Sequence, residues 1–161
     1  MIEKGKISQE PFIEILKTLE EAESANLVDW NAMNIASVDQ INQPSSRMVL
    51  LKKISDDGLV FYTNYNSKKG KEIELNPKVA VNFWWRELKK QIRVEGFIEK
   101  ASEADSDDYF NSRPLKSRVS AIISNQSSMI SSYEDLKNQI DDYLEQNDES
   151  SIKRPDHCGL Y

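Results

Sequence analysis

The order of patterned segments predicts an α+β domain built on a small barrel or curled sheet. A helical pattern opens the chain, five short strand-like segments follow, and helical patterns close it. The pair Asp57-Gly58, between the second and third strand segments, is typical of a tight antiparallel hairpin. Because 161 residues suffice for one domain with its own core, we expect a single domain over residues 1–161.

In the first two thirds of the chain, the sequence predicts one opening helix followed by five short strands. The helix runs from Ser8 to about Ser24, with Phe12, Ile13, Leu16 and Leu19 at helical spacing. The strands are expected at Ala32–Val38, Ser46–Ile54, Leu59–Thr63, Lys78–Trp85 and Gln91–Lys100. In the last of these, apolar and polar residues alternate with period two, which indicates one buried face and one wet or ligand-facing side.

Further helices follow from capping and breaking signals. A short helix over Ser67–Leu75 ends before Asn76-Pro77, because a residue that precedes proline avoids helical geometry. The remaining helices are expected over Ser102–Arg113, from Pro114 to about Ile123, and from Ser131 onward, with a mobile polar link over Gln146–Lys153.

Composition excludes several classes of protein. Cys158 and His157 are the only cysteine and histidine, which rules out an internal disulfide and argues against a structural metal site. The net charge of −6 argues against nonspecific nucleic-acid binding, and no apolar run is long enough to span a membrane. The N-terminus does not resemble a signal peptide, so we expect a cytoplasmic protein.

A cluster of lysines interrupts this acidic chain at residues 61–72, FYTNYNSKKGKE. Thr63 and Ser67 offer hydroxyls and Lys68 and Lys69 offer charge near a helix start, where free N–H groups favour an anion. Lysines at a helix start oppose the helix dipole, which a nearby anion would relieve. The alternative is a solvated helix face on which Lys68, Lys69 and Lys71 pair with Glu72 and Glu74.

A second basic segment is the strand SSRMVLLKK, which carries Arg47 and Lys52. One interpretation is a buried strand with charged ends, which is common. The other is that this strand and its hairpin partner, which ends at Tyr62-Thr63, deliver basic and hydroxyl groups to one end of the sheet.

Taken together, the motifs resemble the pyridoxamine 5′-phosphate oxidase family from about Pro11 to Pro155. They are RMVLLK at 47–52, FYTN at 61–64, SKKGKE at 67–72, NP at 76–77, QIRVEG at 91–96, YFNSRP at 109–114 and NQSS at 125–128. The resemblance implies a Greek-key-like, antiparallel FMN-binding split β-barrel with flanking helices. It also implies a homodimer that binds FMN at the subunit interface.

The resemblance assigns two groups of site residues and no catalytic acid or base. The residues implied to contact FMN are Arg47, Met48, Val49, Leu50, Leu51, Lys52, Tyr62, Thr63, Ser67, Lys68, Lys69, Gln91, Gln126 and Ser127. Many relatives carry Arg at the place of Lys68, and Lys keeps the charge but loses the bidentate fork. Gln91 could instead face solvent at a strand start, and Gln126-Ser127 could be an ordinary polar loop.

The second group is implied to grip the phosphate of the vitamin B6 substrate. Its members are Lys52, Tyr109, Arg113 and Ser117. Two cations, a phenol and a hydroxyl suit a phosphate monoester. From the residues alone, Tyr109 and Arg113 could equally be a surface pair one helical turn apart.

The tail IKRPDHCGLY departs from the family pattern. In the family, a segment resembling R-P-x-x-W-G-G-Y-R leads into closing strands with an R-L-H-D-R-like motif. Here Cys158 stands at the Trp place, Leu160 replaces a Gly, and the chain ends at Tyr161. We expect the closing strands to be missing, so that the sequence is either a fragment or a protein adapted to work without them.

The function implied by the resemblance is FMN-dependent oxidation of pyridoxamine or pyridoxine 5′-phosphate to pyridoxal 5′-phosphate. Dioxygen would be reduced to hydrogen peroxide, and the altered tail predicts lowered turnover. Two alternatives stay open: a noncatalytic FMN-binding protein of the same fold, and an interaction domain that uses its acidic C-terminal helix.

Overall fold

This computed structural model describes residues 2–161, which form seven short strands, five helices and a 3-10 turn. The strands are β1 (Glu3–Lys4), β2 (Ala32–Val38), β3 (Pro44–Ser55), β4 (Gly58–Asn64), β5 (Lys78–Trp85), β6 (Lys90–Phe97) and β7 (Cys158–Leu160). The helices are α1 (Glu10–Ser24), α2 (Lys68–Leu75), α3 (Glu103–Ser112), α4 (Leu115–Ile123) and α5 (Tyr133–Gln146), with a 3-10 turn at Glu149–Ser151. The predicted strands and helices are therefore confirmed with small shifts of their ends, and β1 and β7 are additions.

The main sheet is antiparallel, in the order β6-β5-β2-β3-β4, and β1 lies parallel beside β3. The predicted hairpin joins β3 to β4, with Ser55 opposite Gly58, whose φ of 144° suits glycine. The register of β3 against β4 shifts between Leu51 and Lys53. Such irregularities bend a strand, which lets one long strand serve two curved parts of a sheet.

Two compact units make up the chain, and the boundary between them falls inside β4 and α2. The first comprises residues up to Tyr62 together with Glu72–Glu99 and Tyr161, and the second comprises Thr63–Lys71 and Lys100–Leu160. In the first unit, α1 buries Leu19 and Ala22, while Met33, Ile35 and Phe83 fill the sheet side of the core. Burial of such apolar side chains is the main force that holds the sheet together.

The helices of the second unit surround a smaller core. Phe110 of α3 and Val119 of α4 are fully buried, and Ile140 of α5 is nearly so. As predicted, Ser102 caps α3 by accepting from the N–H of Asp105. Within residues 2–161, no helix combines the length and the apolar character needed to cross a bilayer.

Candidate functional site

The turn between β4 and α2 is held by contacts that fix the first turn of the helix. Ser67 is fully buried, and its hydroxyl donates to the carbonyl oxygen of Asn64 at 2.6 Å. The N–H of Gly70 donates back to the Ser67 oxygen at 3.3 Å. A Cβ atom at Gly70 would lie 1.9 Å from the carbonyl oxygen of Tyr65, so only glycine fits there. These contacts determine where Lys69 begins its side chain.

Lys69 is the centre of a polar group that we call the lysine cluster: the buried Thr63, Ser67 and Lys69 and the exposed Gln126. The Lys69 ammonium donates to Thr63 Oγ1 at 2.7 Å, to Gln126 Oε1 at 2.9 Å and to Ser67 Oγ at 3.2 Å. Thr63 Oγ1 also lies 3.3 Å from Gln126 Oε1. The carbonyl oxygen of Gln126 thus lies where an ammonium and a hydroxyl converge. The ammonium and the neighbouring Thr63 hydroxyl are donors suited to phosphate oxygens, whereas the Ser67 hydroxyl already donates its one proton to Asn64.

Burial divides the residues of the lysine-rich segment. Lys69 and Glu72 are only 6% and 4% exposed, so the alternative of a fully solvated helix face is wrong for these two. Lys68, Lys71 and Glu74 are exposed, as that alternative requires. Lysine rarely lies inside a protein unless polar partners hold its charge, so the burial of Lys69 marks a specialised position.

A second polar group, the arginine network, joins Ser37, Ser45, Arg47 and Glu72 in the first unit. Arg47 Nη2 donates to Glu72 Oε2 at 3.0 Å and to Ser45 Oγ at 2.5 Å. Arg47 Nη1 donates to Ser37 Oγ at 2.6 Å and more weakly to the carbonyl oxygen of Ile35 at 3.3 Å. The guanidinium therefore has a fixed orientation on β3.

The carboxylate of Glu72 is stabilised in its charged form although it is buried. Burial acts to raise the pKa of Glu72, but hydrogen bonds from Ser37, Ser45 and Arg47 outweigh it and hold the pKa below its ordinary value. Glu72 is consequently an anion at neutral pH. Its partner is the guanidinium of Arg47, whose side chain is 21% exposed.

The remaining predicted residues of β3 divide between the two faces of the strand. Met48 and Leu50 point outward and are 60% and 41% exposed, whereas Val49 and Leu51 are buried. Lys52 at the end of this run is half-buried. Only the outward side chains are available to a flat ring lying on this face, and the inward ones can contribute backbone groups alone.

The outward side of the sheet also carries Trp84, which is 58% exposed, and Gln91. Gln91 lies opposite Trp84 in the β5–β6 pair, and its amide donates to Asn82 Oδ1 at 2.8 Å. Asn82 in turn lies opposite Asn34 of β2. We call Met48, Leu50, Asn82, Trp84 and Gln91 the open sheet face. It mixes apolar surface with amide groups, a combination suited to a flavin ring or another protein surface.

The predicted substrate residues of the second unit lie around the break at Pro114. Tyr109 is half-buried in the last turn of α3, Arg113 follows that helix, and Ser117 lies in the first turn of α4. Burial raises the pKa of the Tyr109 phenol above its ordinary value, and the charge of Arg113 opposes this effect. Tyr109, Arg113 and Ser117 all belong to the second unit, whereas Lys52 belongs to the first.

Tyr62 and Ser127 complete the predicted set. Tyr62 is half-buried near the end of β4. Ser127 is exposed in the loop after α4, with a φ of 68°, next to Gln126 of the lysine cluster. A positive φ at a residue other than glycine is uncommon and indicates a loop whose shape is set by its contacts.

Sequence patterns missed three members of the arginine network. Ser37, Ser45 and Glu72 were not singled out as site residues, because nothing in their spacing indicates that they meet. The signal available was the alternation of β3, which puts Ser45 and Arg47 on one side. The register of β2 against β3, with Ser37 opposite Ser45, completes the group.

Solved structures with the same fold define the class of protein. PhzG from Burkholderia lata 383, in complex with tetrahydrophenazine-1-carboxylic acid, aligns with a TM-score of 0.88 at 24% identity, covering 96% of this chain and 75% of that one. A pyridoxamine 5′-phosphate oxidase-related, FMN-binding protein from Nostoc punctiforme aligns with a TM-score of 0.74 at 17% identity, covering 96% and 80%. The fold is the α+β split β-barrel of FMN-binding proteins, as predicted.

Sequence comparison identifies the family. Residues 19–147 match the family described as pyridoxamine 5′-phosphate oxidase. The pyridoxine/pyridoxamine 5′-phosphate oxidase of Nostoc sp. (strain PCC 7120) is 46% identical over 154 residues, which cover 96% of this chain and 72% of the relative. The chain belongs to the pyridoxamine 5′-phosphate oxidase family, and the resemblance found in its motifs is confirmed.

Proposed function

We propose that this chain binds FMN and oxidises pyridoxamine 5′-phosphate or pyridoxine 5′-phosphate to pyridoxal 5′-phosphate. The observation that carries the proposal is the lysine cluster, whose buried ammonium lies beside two hydroxyl oxygens within residues 19–147, the range that matches the family. Burial strengthens each charge–oxygen contact relative to one made in water. The cluster therefore fits the phosphate of FMN.

The chain offers a consistent set of groups for the rest of the cofactor. Thr63, Ser67 and Lys69, with the neighbouring Lys68, would hold the phosphate, and Arg47 would add a third cation. The outward face of β3 at Met48 and Leu50 would support the ring, with Gln91 as a hydrogen-bonding amide. When bound, FMN supplies the redox chemistry, in which the C4′ carbon of the substrate is oxidised and dioxygen is reduced to hydrogen peroxide.

The substrate phosphate would be bound by Lys52, Tyr109, Arg113 and Ser117. The Tyr109 phenol is protonated at neutral pH, as an ordinary tyrosine is, so the hydroxyl can donate to a phosphate oxygen. Arg113 and Lys52 contribute positive charge, and Ser117 contributes a second hydroxyl. These residues position the substrate and neutralise its charge, which is the protein's main share of such a reaction.

We further propose that the working form is a homodimer, as the family resemblance implies. The open sheet face supports this, because Met48, Leu50 and Trp84 leave apolar surface in contact with water. A second copy that covers this face would remove that surface from water. Gln126, which contacts Lys69 within its own chain, would then contribute to the FMN site of its own subunit, with Ser127 beside it.

An oxygen-dependent assay tests the proposed activity. Purified protein is saturated with FMN and given pyridoxamine or pyridoxine 5′-phosphate in air, and pyridoxal 5′-phosphate and hydrogen peroxide are measured together. We expect equal amounts of the two products in air, and without oxygen no hydrogen peroxide and no more than one pyridoxal 5′-phosphate per FMN. FMN bound without turnover would contradict the oxidase and favour a noncatalytic flavin protein.

A pair of arginine variants tests the substrate site within the same assay. Arg113→Met should raise KM for the phosphorylated substrate by about tenfold or more, because a charge-assisted contact is lost, and should leave FMN content unchanged. The matched control is Arg86→Met, which removes the same charge from an exposed turn between β5 and β6. Equal effects of the two variants would refute the assignment of Arg113.

A further inference from the structure

Glu72 is a buried anion on the face of α2 that meets the arginine network. Its side chain is 4% exposed, and Oε2 lies 3.0 Å from Arg47 Nη2. Neither the phosphate contacts nor the substrate contacts proposed above make use of it. A buried carboxylate beside a proposed phosphate-binding cation needs an explanation, because it offsets the very charge that would attract the phosphate.

Two serine hydroxyls link the charged partners. Ser37 Oγ donates to Glu72 Oε2 at 2.6 Å, and Ser45 Oγ donates to both carboxylate oxygens at 2.7 and 2.8 Å. Each hydroxyl has one proton to donate and accepts from Arg47 in turn. The carboxylate and the guanidinium are therefore connected by a direct hydrogen bond and through the two serine hydroxyls, and these contacts orient both groups.

The network also uses the terminal donors of Arg47. Nη1 contacts Ser37 Oγ and the carbonyl oxygen of Ile35, and Nη2 contacts Ser45 Oγ and Glu72 Oε2. Four N–H bonds extend from these two nitrogens, and four acceptors receive them. A phosphate that recruits a terminal nitrogen of Arg47 must take it from one of these acceptors.

We propose that Glu72 is a positioning residue that sets how strongly Arg47 attracts the phosphate of FMN. The inference rests on the proposed function, in which Arg47 is a phosphate ligand. Glu72 holds the guanidinium in a defined orientation and lowers its attraction for an incoming anion. When the phosphate draws Arg47 toward itself, the buried Glu72 carboxylate loses part of its ion pair with Arg47. The free energy lost from this ion pair weakens FMN binding.

The charge of Glu72 can be removed without removing its shape. In Glu72→Gln the amide oxygen still accepts from the serine hydroxyls and from Arg47, but the negative charge is gone. The matched control is Glu74→Gln, which removes one negative charge from an exposed position two residues further along α2. Both variants change the net charge of the chain equally. A difference in FMN affinity between them is therefore due to the arginine network.

The experiment compares FMN with riboflavin, which lacks the phosphate, by quenching of flavin fluorescence on the flavin-free full chain. We expect Glu72→Gln to tighten FMN binding by about tenfold and to leave riboflavin binding unchanged. Glu74→Gln should change neither. Glu72→Asp, which keeps the charge but shortens the side chain, should give an intermediate tightening and serves if the Gln variant does not fold.

The outcomes separate the inference from the proposed function. Equal weakening of FMN and riboflavin in Glu72→Gln, with a lowered melting temperature, would show a purely structural role and overturn the inference. Unchanged FMN affinity in folded Glu72→Gln or Glu72→Asp would overturn it as well. Wild-type protein that binds no FMN would refute the proposed function itself, and the inference with it.

Discussion

Replacing Lys69 by methionine removes the buried charge of the lysine cluster while keeping a side chain of similar length. In the structure this ammonium donates to Thr63 at 2.7 Å and to Gln126 at 2.9 Å, so it is held in place before any ligand binds. A hydrogen bond to a charged group is worth roughly 1.5–3 kcal/mol. Loss of one such contact to the FMN phosphate corresponds to an affinity lower by about 10- to 150-fold.

The assay is a titration of the flavin-free protein with FMN, followed by calorimetry. The control is Lys71→Met, because Lys71 lies on the same helix and is exposed. We expect Lys69→Met to weaken FMN binding by the stated factor, and Lys71→Met to change it by less than about threefold, as for a screened surface charge. Similar small effects for both lysines, with both variants folded, would refute the assignment of the cluster to the phosphate.

Three further predictions concern stability and assembly. Gly70→Ala should lower the free energy of unfolding by about 2 kcal/mol or more, seen as a lower melting temperature, because the new Cβ would meet the Tyr65 carbonyl oxygen at 1.9 Å; unchanged stability would contradict the close packing. The Ser8 hydroxyl, with backbone N–H groups at the start of α1, holds the pKa of Asp56 below its ordinary value. The stabilisation of the fold by the Asp56 carboxylate is therefore present above its unfolded-state pKa and is lost as pH falls through its folded-state pKa. The melting temperatures of wild type and Asp56→Ala should consequently converge in acid. A difference that persists in acid would count against this role of Asp56. Trp84→Glu should convert the expected dimer to a monomer in sedimentation velocity, whereas the control Val28→Glu, also at an exposed apolar residue, should not; a monomeric wild type would remove the basis of the dimer proposal.

The sheet could be predicted from sequence because its strands carry local signals. The period-two alternation of β6 and the Asp57-Gly58 turn both act over a few residues. The structure confirms the hairpin and the strand, but the apolar face of β6 is only half-buried at Ile92 and Val94. The strands β1 and β7 were missed, since each has only two or three residues and no alternation. Both are formed by tertiary pairing, such as that of Glu3 with Lys53, which local patterns do not encode.

The candidate site shows the same division. Ser67 and Lys69 can be predicted as candidates because hydroxyls and lysines at a helix start form a local pattern with a physical meaning. Glu72 was interpreted as a possible surface partner of those lysines, since one helical turn separates it from them. Its actual partner, Arg47, lies 25 residues away in sequence. Long-range pairing of this kind depends on where α2 packs against β2 and β3, and no short pattern reveals it.

The most direct test of the account is an anaerobic titration of the FMN-loaded protein with pyridoxine 5′-phosphate, followed by its flavin absorption spectrum. We predict that the yellow flavin band is lost in proportion to added substrate and returns when air is admitted, with pyridoxal 5′-phosphate as the product. A band that persists with saturating substrate, or a protein that retains no FMN, would contradict the proposal that this chain is an FMN-dependent oxidase.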